Sequence, residues 1–328
     1  MLQPYENMDY IIIKKLHQCK KRGLYETYPY MNTPAVVSAM NRMNGKGYFR
    51  VWTTAEQAES LTIPILKNLL QEVGLSCQGK KSDLISRVLQ SVPPDRIYVA
   101  AGSFDQLRLT DAGQTYFSYL EQASNREYDN LIEEMRAYLL RGDFNSANHI
   151  MCEYETRQFF KRGMGIDWEK RASQPLPASE QYAINTYFEQ SQDLQSAATI
   201  VIYRWLSSPN DFRQYMERHP ERYVDPTQLH YGNSVLGSMQ KLAEYAAEDG
   251  KHARYKVHNH CEDICDICKI HSGKTYYVKD ARIGQNCPPF HFGCRCCVSP
   301  VVTFADGTEV KPVIRDPKKS IFSIFKHK

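Results

Sequence analysis

The stretches Cys265-Asp-Ile-Cys268 and His291-Phe-Gly-Cys294-Arg-Cys296 decide how the C-terminal part of this chain folds. Seven of the ten cysteines lie between Cys261 and Cys297. A Cys-x-x-Cys turn presents two thiolates to one ion, and a second pair from another part of the chain completes a tetrahedral shell. Residues two apart on an extended strand point to the same face, so Cys294 and Cys296 form such a pair. The spacing predicts a structural zinc site, whose candidate ligands are Cys265, Cys268, Cys294 and, in competition for the last position, Cys296 and His291.

Alternative roles for these cysteines stay open. A disulfide framework suits short secreted chains, whereas this chain is long and we expect it to have no secretory leader. A thioredoxin-type Cys-x-x-Cys would lie in a βαβ unit and would not need the distal His and Cys residues. A zinc deaminase needs His-x-Glu upstream of its cysteine pair, and His258-Asn259-His260 lacks that glutamate. Reduced cysteines that only pack in a core are the remaining alternative to a structural metal.

The metal region is predicted to be a small α+β domain. The segments Tyr276–Val278 and Cys296–Val298 have the aromatic and β-branched content of strands, and both lie beside proposed ligands. Elements this short bury little apolar area, so bound zinc would contribute folding free energy on the order of 10 kcal/mol.

Several features of this region recur together in a known family. They are Cys265-x-x-Cys268, Gly273-Lys274, Gly284-x-Asn286, Pro288-Pro289-x-His291 and Cys294-Arg295-Cys296. With them, the stretch from Cys265 to Pro300 resembles the C-terminal domain of the tailed-phage minor head proteins, the Mu F-like head morphogenesis family. The resemblance implies a component of the phage head near the portal that takes part in capsid assembly or DNA delivery, without established catalysis.

This stretch departs from the family pattern in two ways. Cys261, Cys287 and Cys297 are additional thiols, and Phe292-Gly293 stands where Pro-Asn is more usual. The additional thiols could replace a ligand or hold a second ion.

A second unit is predicted near the N-terminus as a pair of short helices. The first helix has Thr62 as its N-cap, Pro64 in its first turn, and Leu66, Leu69 and Leu70 on one face. Gly74 suits the left-handed position that ends a helix, and Leu75 can then fold back onto the last turn. A second helix begins at Lys80-Lys81-Ser82-Asp83. Its inward residues are predicted to be Leu84, Ile85, Val88 and Leu89.

This helix pair resembles a SAP motif, a small DNA-binding helical hairpin, over residues Thr62 to Pro93. The sequence Gly79-Lys80-Lys81-Ser82-Asp83-Leu84 carries most of the resemblance. Glycine and the first-turn N–H groups of a helix can approach a phosphate, while lysines neutralise its charge. The residues expected to face DNA are Lys67, Gly79, Lys80, Lys81 and Arg87. The alternative is a helical hairpin that only docks on protein.

The rest of the chain is predicted to be helical and contains no recognised catalytic motif. Thr110 is expected to cap a helix that buries Tyr116, Phe117 and Leu120. From Arg126 to Gly250 three apolar stripes follow helical spacing. They comprise Leu131, Met135, Leu139 and Leu140; Ile150, Tyr154, Phe159 and Phe160; and Ile200, Ile202, Tyr203, Trp205 and Leu206. The Gly163-x-Gly165 sequence is interpreted as a turn between helices, and we expect a protein that is not an enzyme.

Composition and charge complete the prediction. The 328 residues allow several domains, and the longest apolar run, Ala197 to Tyr203, is too short to span a bilayer, so no membrane partner is expected. Residues 121–250 carry 13 basic against 20 acidic side chains, whereas residues 251–300 carry 8 against 4, so polyanion contact is expected at the basic ends.

The predicted fold class is α+β and mainly α-helical. The predicted divisions are an aromatic-rich region over 1–59, the SAP-like hairpin over 60–93, a helical middle over 94–250, the zinc-stabilised domain over 251–302 and a basic flexible tail over 303–328.

Together these features lead to one hypothesis with two alternatives. The hypothesis is a phage or prophage minor head protein whose partners are the phage portal and capsid proteins and double-stranded DNA, bound without sequence preference. It would be found in the host cytoplasm during assembly and then in the virion head. The alternatives are a bacterial SAP-type DNA-binding zinc protein unrelated to virions, and a phage-associated effector nuclease that uses the histidines at 252, 258, 260 and 271.

Overall fold

The computed structural model describes residues 2–18, 24–102, 107–158, 165–259 and 264–302. The chain divides into two compact units, one formed by Met1–Glu133 with Cys152–Glu169 and the other by Glu134–Met151 with Lys170–Lys328. Helices dominate both units, and two small antiparallel sheets complete the described part of the chain. The predicted mainly helical α+β class is therefore confirmed. The predicted tail over 303–328 and Cys261 lie outside the described residues, as does most of the turn predicted around Gly163.

The first unit begins with helices and two short strands. Its elements are α1 (Pro4–Gln18), α2 (Leu24–Thr27), a 3-10 helix (Pro29–Met31), α3 (Pro34–Gly45), β1 (Phe49–Val51), α4 (Thr54–Ser60), α5 (Ile63–Glu72), α6 (Lys81–Ser91), α7 (Pro94–Ala100) and β2 (Leu107–Leu109). Two long helices, α8 (Asp111–Leu140) and α9 (Phe144–Arg157), contribute residues to both units.

The N-terminal core of this unit forms between α1, α3 and the first turns of α8. Ile12 and Ile13 of α1 and Val36 of α3 are fully buried together with Leu120 of α8. Thr110 caps α8 as predicted, because its Oγ1 accepts a hydrogen bond from the Gly113 N–H at 3.1 Å. Phe117 and Leu120 are buried and Tyr116 is half-buried, which confirms the predicted face of this helix.

Four helices are inserted between two paired strands. β1 and β2 pair antiparallel, with Phe49 opposite Leu109 and Val51 opposite Leu107. The segment that contains α4 to α7 therefore begins and ends at this strand pair, which we call the junction. Glu56 of α4 holds this junction together. Its carboxylate accepts two hydrogen bonds from Arg50 of β1, at 2.7 and 2.8 Å, and lies 3.2 Å from Nε of Arg108 of β2.

The second unit has a helical body and a small sheet. The helices of the body are α10 (Trp168–Ala172), which starts at the boundary, α11 (Ala178–Gln190), α12 (Leu194–Trp205), α13 (Pro209–Arg218) and α14 (Pro226–Asp249). Three 3-10 helices cover Pro220–Arg222, Gly250–His252 and Val278–Asp280. The remaining elements are β3 (Arg254–Asn259), α15 (Asp266–His271), β4 (Thr275–Tyr277) and β5 (Cys296–Pro300).

The body is built around α12, whose apolar stripe is confirmed. Ile200, Ile202 and Trp205 are buried there. In the α8 stripe Leu131, Met135 and Leu139 are buried, but Leu140 is 36% exposed, so its assignment to that stripe was wrong. Leu140 is the last residue of α8, and a step of one residue turns its side chain by about 100° from the buried line through Leu139. Phe159 and Phe160 lie outside the described residues.

The small sheet has the strand order β4-β3-β5, with both pairs antiparallel. β4 and β5 confirm the strands predicted beside the cysteines. Tyr255 and Val257 of β3 are fully buried and form a core with Cys268, Cys287 and Val298.

Candidate DNA-binding module and metal centre

Helices α5 and α6 share one small apolar core, as predicted. Leu66 and Leu70 of α5 pack with Leu84 and Val88 of α6, and all four are fully buried. Ala58 of α4 and Ile97 of α7, which had not been predicted to take part, complete this core. The module therefore consists of four helices, and the predicted pair forms its centre.

The turn after α5 follows the prediction made for Gly74. This residue has φ +73°, the left-handed conformation that glycine adopts without strain. The Gly74 N–H donates to the Gln71 carbonyl at 3.0 Å, and the Leu75 N–H donates to the Leu70 carbonyl at 2.9 Å. These two bonds define a Schellman motif, which ends the helix and brings Leu75 back onto the core.

The loop before α6 depends on Gly79, Asp83 and Arg87. Gly79 has φ +123°, and a Cβ built on it would lie 3.0 Å from Oδ2 of Asp83, so a larger residue would be both strained and crowded. That same Oδ2 accepts a hydrogen bond from the Lys80 N–H at 3.0 Å. The Arg87 guanidinium donates to the Gln78 carbonyl at 3.1 Å and also to the Ser76 carbonyl. The loop is thus closed by its own side chains.

The residues expected to face DNA differ in their exposure to solvent and in the hydrogen bonds that they make. Lys67, Gly79 and Lys80 are exposed. Lys81 is exposed too, although its Nζ donates to the Glu59 carbonyl at 2.8 Å. Arg87 is only half-exposed and binds two carbonyls of its own loop, so its position favours shaping the loop.

The predicted inward position of Leu89 was wrong. Leu84 and Val88 are fully buried, whereas Leu89 is 39% exposed. Residues i and i+4 lie on one face of a helix, which places Leu84 and Val88 together and turns Leu89 about 100° away. The half-buried Ile85 packs at the edge of the same core.

The five predicted ligands of the C-terminal region come together in the fold. Their close groups are Cys265 with Cys268 and His291, and Cys268 with Cys294 and Cys296, with the ligand atoms of each group within 4.8 Å of one another. Nε2 of His291 lies 3.2 Å from Sγ of Cys265 and 3.2 Å from Sγ of Cys268. Sγ of Cys268 lies 3.8 Å from Sγ of Cys294. Cys268 belongs to both groups, and this donor set could hold a metal ion.

Neighbouring groups orient two of these ligands. Nδ1 of His291 is 2.7 Å from the Phe292 carbonyl, and when Nδ1 carries the proton of a neutral ring, Nε2 presents a lone pair to the thiols. The side-chain amide of Asn259 in β3 donates to Sγ of Cys296 at 3.6 Å. A ligand histidine in proteins usually donates its other ring N–H to a carbonyl or carboxylate in the same way.

The protein environment shifts the pKa of the thiols in opposite directions. A hydrogen bond from the Cys268 N–H lowers the pKa of Cys265. Burial raises the pKa of Cys268 far above its ordinary value and raises that of Cys296 to about 11. Because a thiol binds a metal as the thiolate, the charge of a divalent cation would offset this cost of ionising the buried Cys268.

The additional thiols occupy different places. Among the described residues, Cys287 and Cys297 belong to neither ligand group. Cys287 is fully buried in the core against Tyr255 and Val257, and burial raises its pKa to about 12. Cys297 follows Cys296 on β5, and consecutive strand residues point to opposite faces of a sheet.

Residues 57–92 match the SAP domain family. The match covers α5, α6 and most of α4, and it confirms the SAP-like hairpin predicted from Thr62 to Pro93. No curated protein and no solved structure matched the chain. The resemblance to the phage minor head proteins received no support from these comparisons and stays a hypothesis.

Sequence reasoning missed the residues that hold the SAP domain at its junction. Thr53 and Glu56 form a capping box at the start of α4, with the Thr53 N–H donating to Glu56 at 2.8 Å. The sequence Thr53-x-x-Glu56 is the usual signature of this motif and would have predicted the helix start. Asn259 carried no comparable signal, because its contact with Cys296 depends on the pairing of β3 with β5.

Proposed function

We propose that this protein is a phage or prophage minor head protein that acts as a scaffold rather than as an enzyme. Its SAP domain would contact packaged or entering DNA, and its C-terminal domain, stabilised by zinc, would contribute to docking on the portal or capsid proteins. The protein would be found in the bacterial cytoplasm during assembly and in the virion head afterwards. The observation that carries the proposal is the convergence of Cys265, Cys268, His291, Cys294 and Cys296, the residues on which the minor-head resemblance also rests.

The donor set supports zinc as the metal. Four sulfur ligands about 2.3 Å from a zinc ion form a tetrahedron with edges of about 3.8 Å, which equals the distance between Sγ of Cys268 and Sγ of Cys294. Thiolate and imidazole ligands favour zinc over the hard cations magnesium and calcium. Cys265, Cys268, His291 and Cys294 would hold the ion in our proposal, and Cys296 would lie beside it.

Three exposed lysines support DNA binding by the SAP domain. Lys80 and Lys81 lie at the start of α6, and Lys67 lies on α5. Lysine side chains at these exposed positions can neutralise backbone phosphates of the DNA. Such contacts read no bases, so the affinity would be similar for all duplex sequences.

A bacterial SAP-type DNA-binding protein with a zinc domain is the second candidate. The SAP match supports it equally, because that match carries no information about virions. A nuclease receives less support. Nε2 of His258 lies 2.6 Å from Oγ of Ser299, and the sequence contains no recognised catalytic motif.

Co-sedimentation with head components tests the proposal. The full chain is expressed with the portal and major capsid proteins of its own genome, and portal rings and procapsids are separated on a gradient. We expect the wild-type chain and Cys77→Ser to move with these particles and Cys268→Ser to stay at the top. A chain that binds DNA but never sediments with head components would favour the bacterial alternative. Degradation of nucleic acid that is lost on changing His258 and His260 to alanine would favour the nuclease.

A further inference from the structure

A pocket of about 520 Å³ lies in the second unit, and none of the candidate metal ligands lines it. Three aromatic rings line it, those of Tyr187 in α11, Tyr231 in α14 and Phe292, which follows the ligand His291. The ring centroids of Tyr231 and Phe292 are 4.7 Å apart and tilted by 45°. The remaining lining residues are Asp225, Thr227, Gln228 and Gly232.

Gly232 allows Tyr187 and Ile200 to pack directly against the backbone of α14 at this pocket. A Cβ at this position would lie 2.8 Å from Oη of Tyr187 and 2.7 Å from Cγ2 of Ile200. The absence of a side chain therefore lets α14 approach α12 while Tyr187 stays against the helix. Phe292 is 62% exposed, so the pocket opens to solvent on that side.

The electrostatics of the pocket favour a cation. The faces of aromatic rings carry partial negative charge, and Asp225 adds a carboxylate beside them. Oδ1 of Asp225 accepts a hydrogen bond from the Thr227 N–H at 2.8 Å, which caps α14, and hydrogen bonds with Thr227 hold the pKa of Asp225 below its ordinary value. The Asp225 carboxylate thus already accepts a hydrogen bond from the first turn of α14, and its negative charge would repel an anion. Residues 121–250 also carry 13 basic against 20 acidic side chains, so this part of the chain favours a basic partner.

We propose that this pocket binds a guanidinium group, supplied by an arginine in a basic segment of a partner protein. A guanidinium is planar, stacks on aromatic faces and pairs with a carboxylate, so it uses both features of the pocket at once. This binding site goes beyond the proposed function, because it depends neither on the minor-head assignment nor on DNA binding.

Two isosteric probes separate charge from shape. N-acetyl-arginine methylamide carries the guanidinium, and the corresponding citrulline compound replaces it with a neutral urea group. Ligand-observed NMR with the full chain as purified should detect binding of the arginine compound at millimolar concentration and much weaker binding of the citrulline compound. Equal binding of both probes, or binding of neither, would overturn the proposal.

Variants of one tyrosine locate the binding. Tyr231→Leu should weaken binding of the arginine compound about two- to fivefold, the effect of losing one partly exposed cation–π contact. Tyr231→Phe keeps the ring and should bind like the wild type. Tyr223→Leu is the matched control, because Tyr223 is 59% exposed and does not line the pocket.

The chain's own basic tail gives a further outcome. Tighter binding of the arginine probe by a chain that ends at Val302 would show that residues 303–328 occupy the pocket. That result would contradict a separate partner. Unchanged binding by the shortened chain supports it.

Discussion

Cys268 is the thiol shared by both groups of candidate metal ligands, and it is buried next to Cys294 and His291. We expect the wild-type chain to carry about one zinc ion by elemental analysis and Cys268→Ser to lose it. The melting temperature should fall as well, because a structural zinc ion contributes folding free energy on the order of 10 kcal/mol. Cys77→Ser is the control, since Cys77 lies at the edge of the SAP core and belongs to neither candidate ligand group. A metal-free wild-type chain with the same melting temperature would contradict the metal centre.

His291 and Cys296 compete for the last ligand position, and we expect the histidine to fill it. Nε2 of His291 lies 3.2 Å from the thiols of both Cys265 and Cys268. We therefore expect His291→Ala to reduce zinc stoichiometry more than Cys296→Ser does, measured at equal protein concentration after dialysis. The reverse order would make Cys296 the fourth ligand. The sequence spacing predicted the cluster but left this choice open, because it depends on the path of the loop from Pro288 to Gly293.

Lys80 and Lys81 should account for a defined part of the salt dependence of DNA binding. Each phosphate contact contributes about 0.9 to the slope of log K against log salt concentration. Replacing both lysines with alanine should therefore reduce the slope by about 1.8 and weaken binding similarly for all duplex sequences. Fluorescence anisotropy of the full chain at several salt concentrations measures this. An unchanged slope would favour the alternative that the hairpin docks on protein.

At the scale of elements, local signals predicted α5 and α6, the two central helices of the SAP module, whereas α4, α7 and the pairing of distant strands were not predicted. Periodic leucines, Pro64 and Gly74 specify α5 and its end within a dozen residues. β1 and β2 are strands of three residues that lie on either side of the inserted helices. Strands this short and this far apart in the sequence give no local pattern from which their pairing could be predicted. Leu89 and Leu140 were wrongly predicted to be buried, because each directly follows a buried residue of its helix. Helix geometry turns a side chain about 100° from that of the preceding residue, so both leucines are exposed. The pairing of β3 with β5, which brings Asn259 to Cys296, was hidden for the same reason as the insertion.

The contact between α4 of the SAP module and the strands β1 and β2 should weaken at acidic pH. Hydrogen bonds from Arg50 lower the pKa of Glu56 to about 2 from an ordinary value of 4.5. The ionised carboxylate therefore contributes its full stabilisation above about pH 4.5, and this contribution is lost as the pH falls toward 2. Glu56→Gln should lower the free energy of unfolding by about 1 kcal/mol at pH 7, with a smaller difference from the wild type at pH 3.

Thermal unfolding at the two pH values measures the effect of Glu56. Glu59→Gln on the same helix is the matched control, because its carboxylate is not part of the two-arginine contact. A difference between Glu56→Gln and the wild type that is the same at pH 3 and pH 7 would show that the charge of Glu56 does not stabilise the junction.

At the scale of the whole molecule, no helix in the described part of the chain combines the length and apolar character needed to cross a membrane. The chain joins a SAP domain to a cluster of cysteine and histidine side chains that could hold a metal ion. The proposed function follows if these parts meet DNA and head proteins in one particle.

The DNA content of phage heads made without this protein tests that account most directly. Its gene would be deleted from the phage or prophage, and the heads would be purified and their DNA measured. We expect heads of normal size with much less DNA or with impaired delivery, restored by the wild-type chain and not by Cys268→Ser. Heads that package and deliver DNA normally in the absence of the protein would contradict the account.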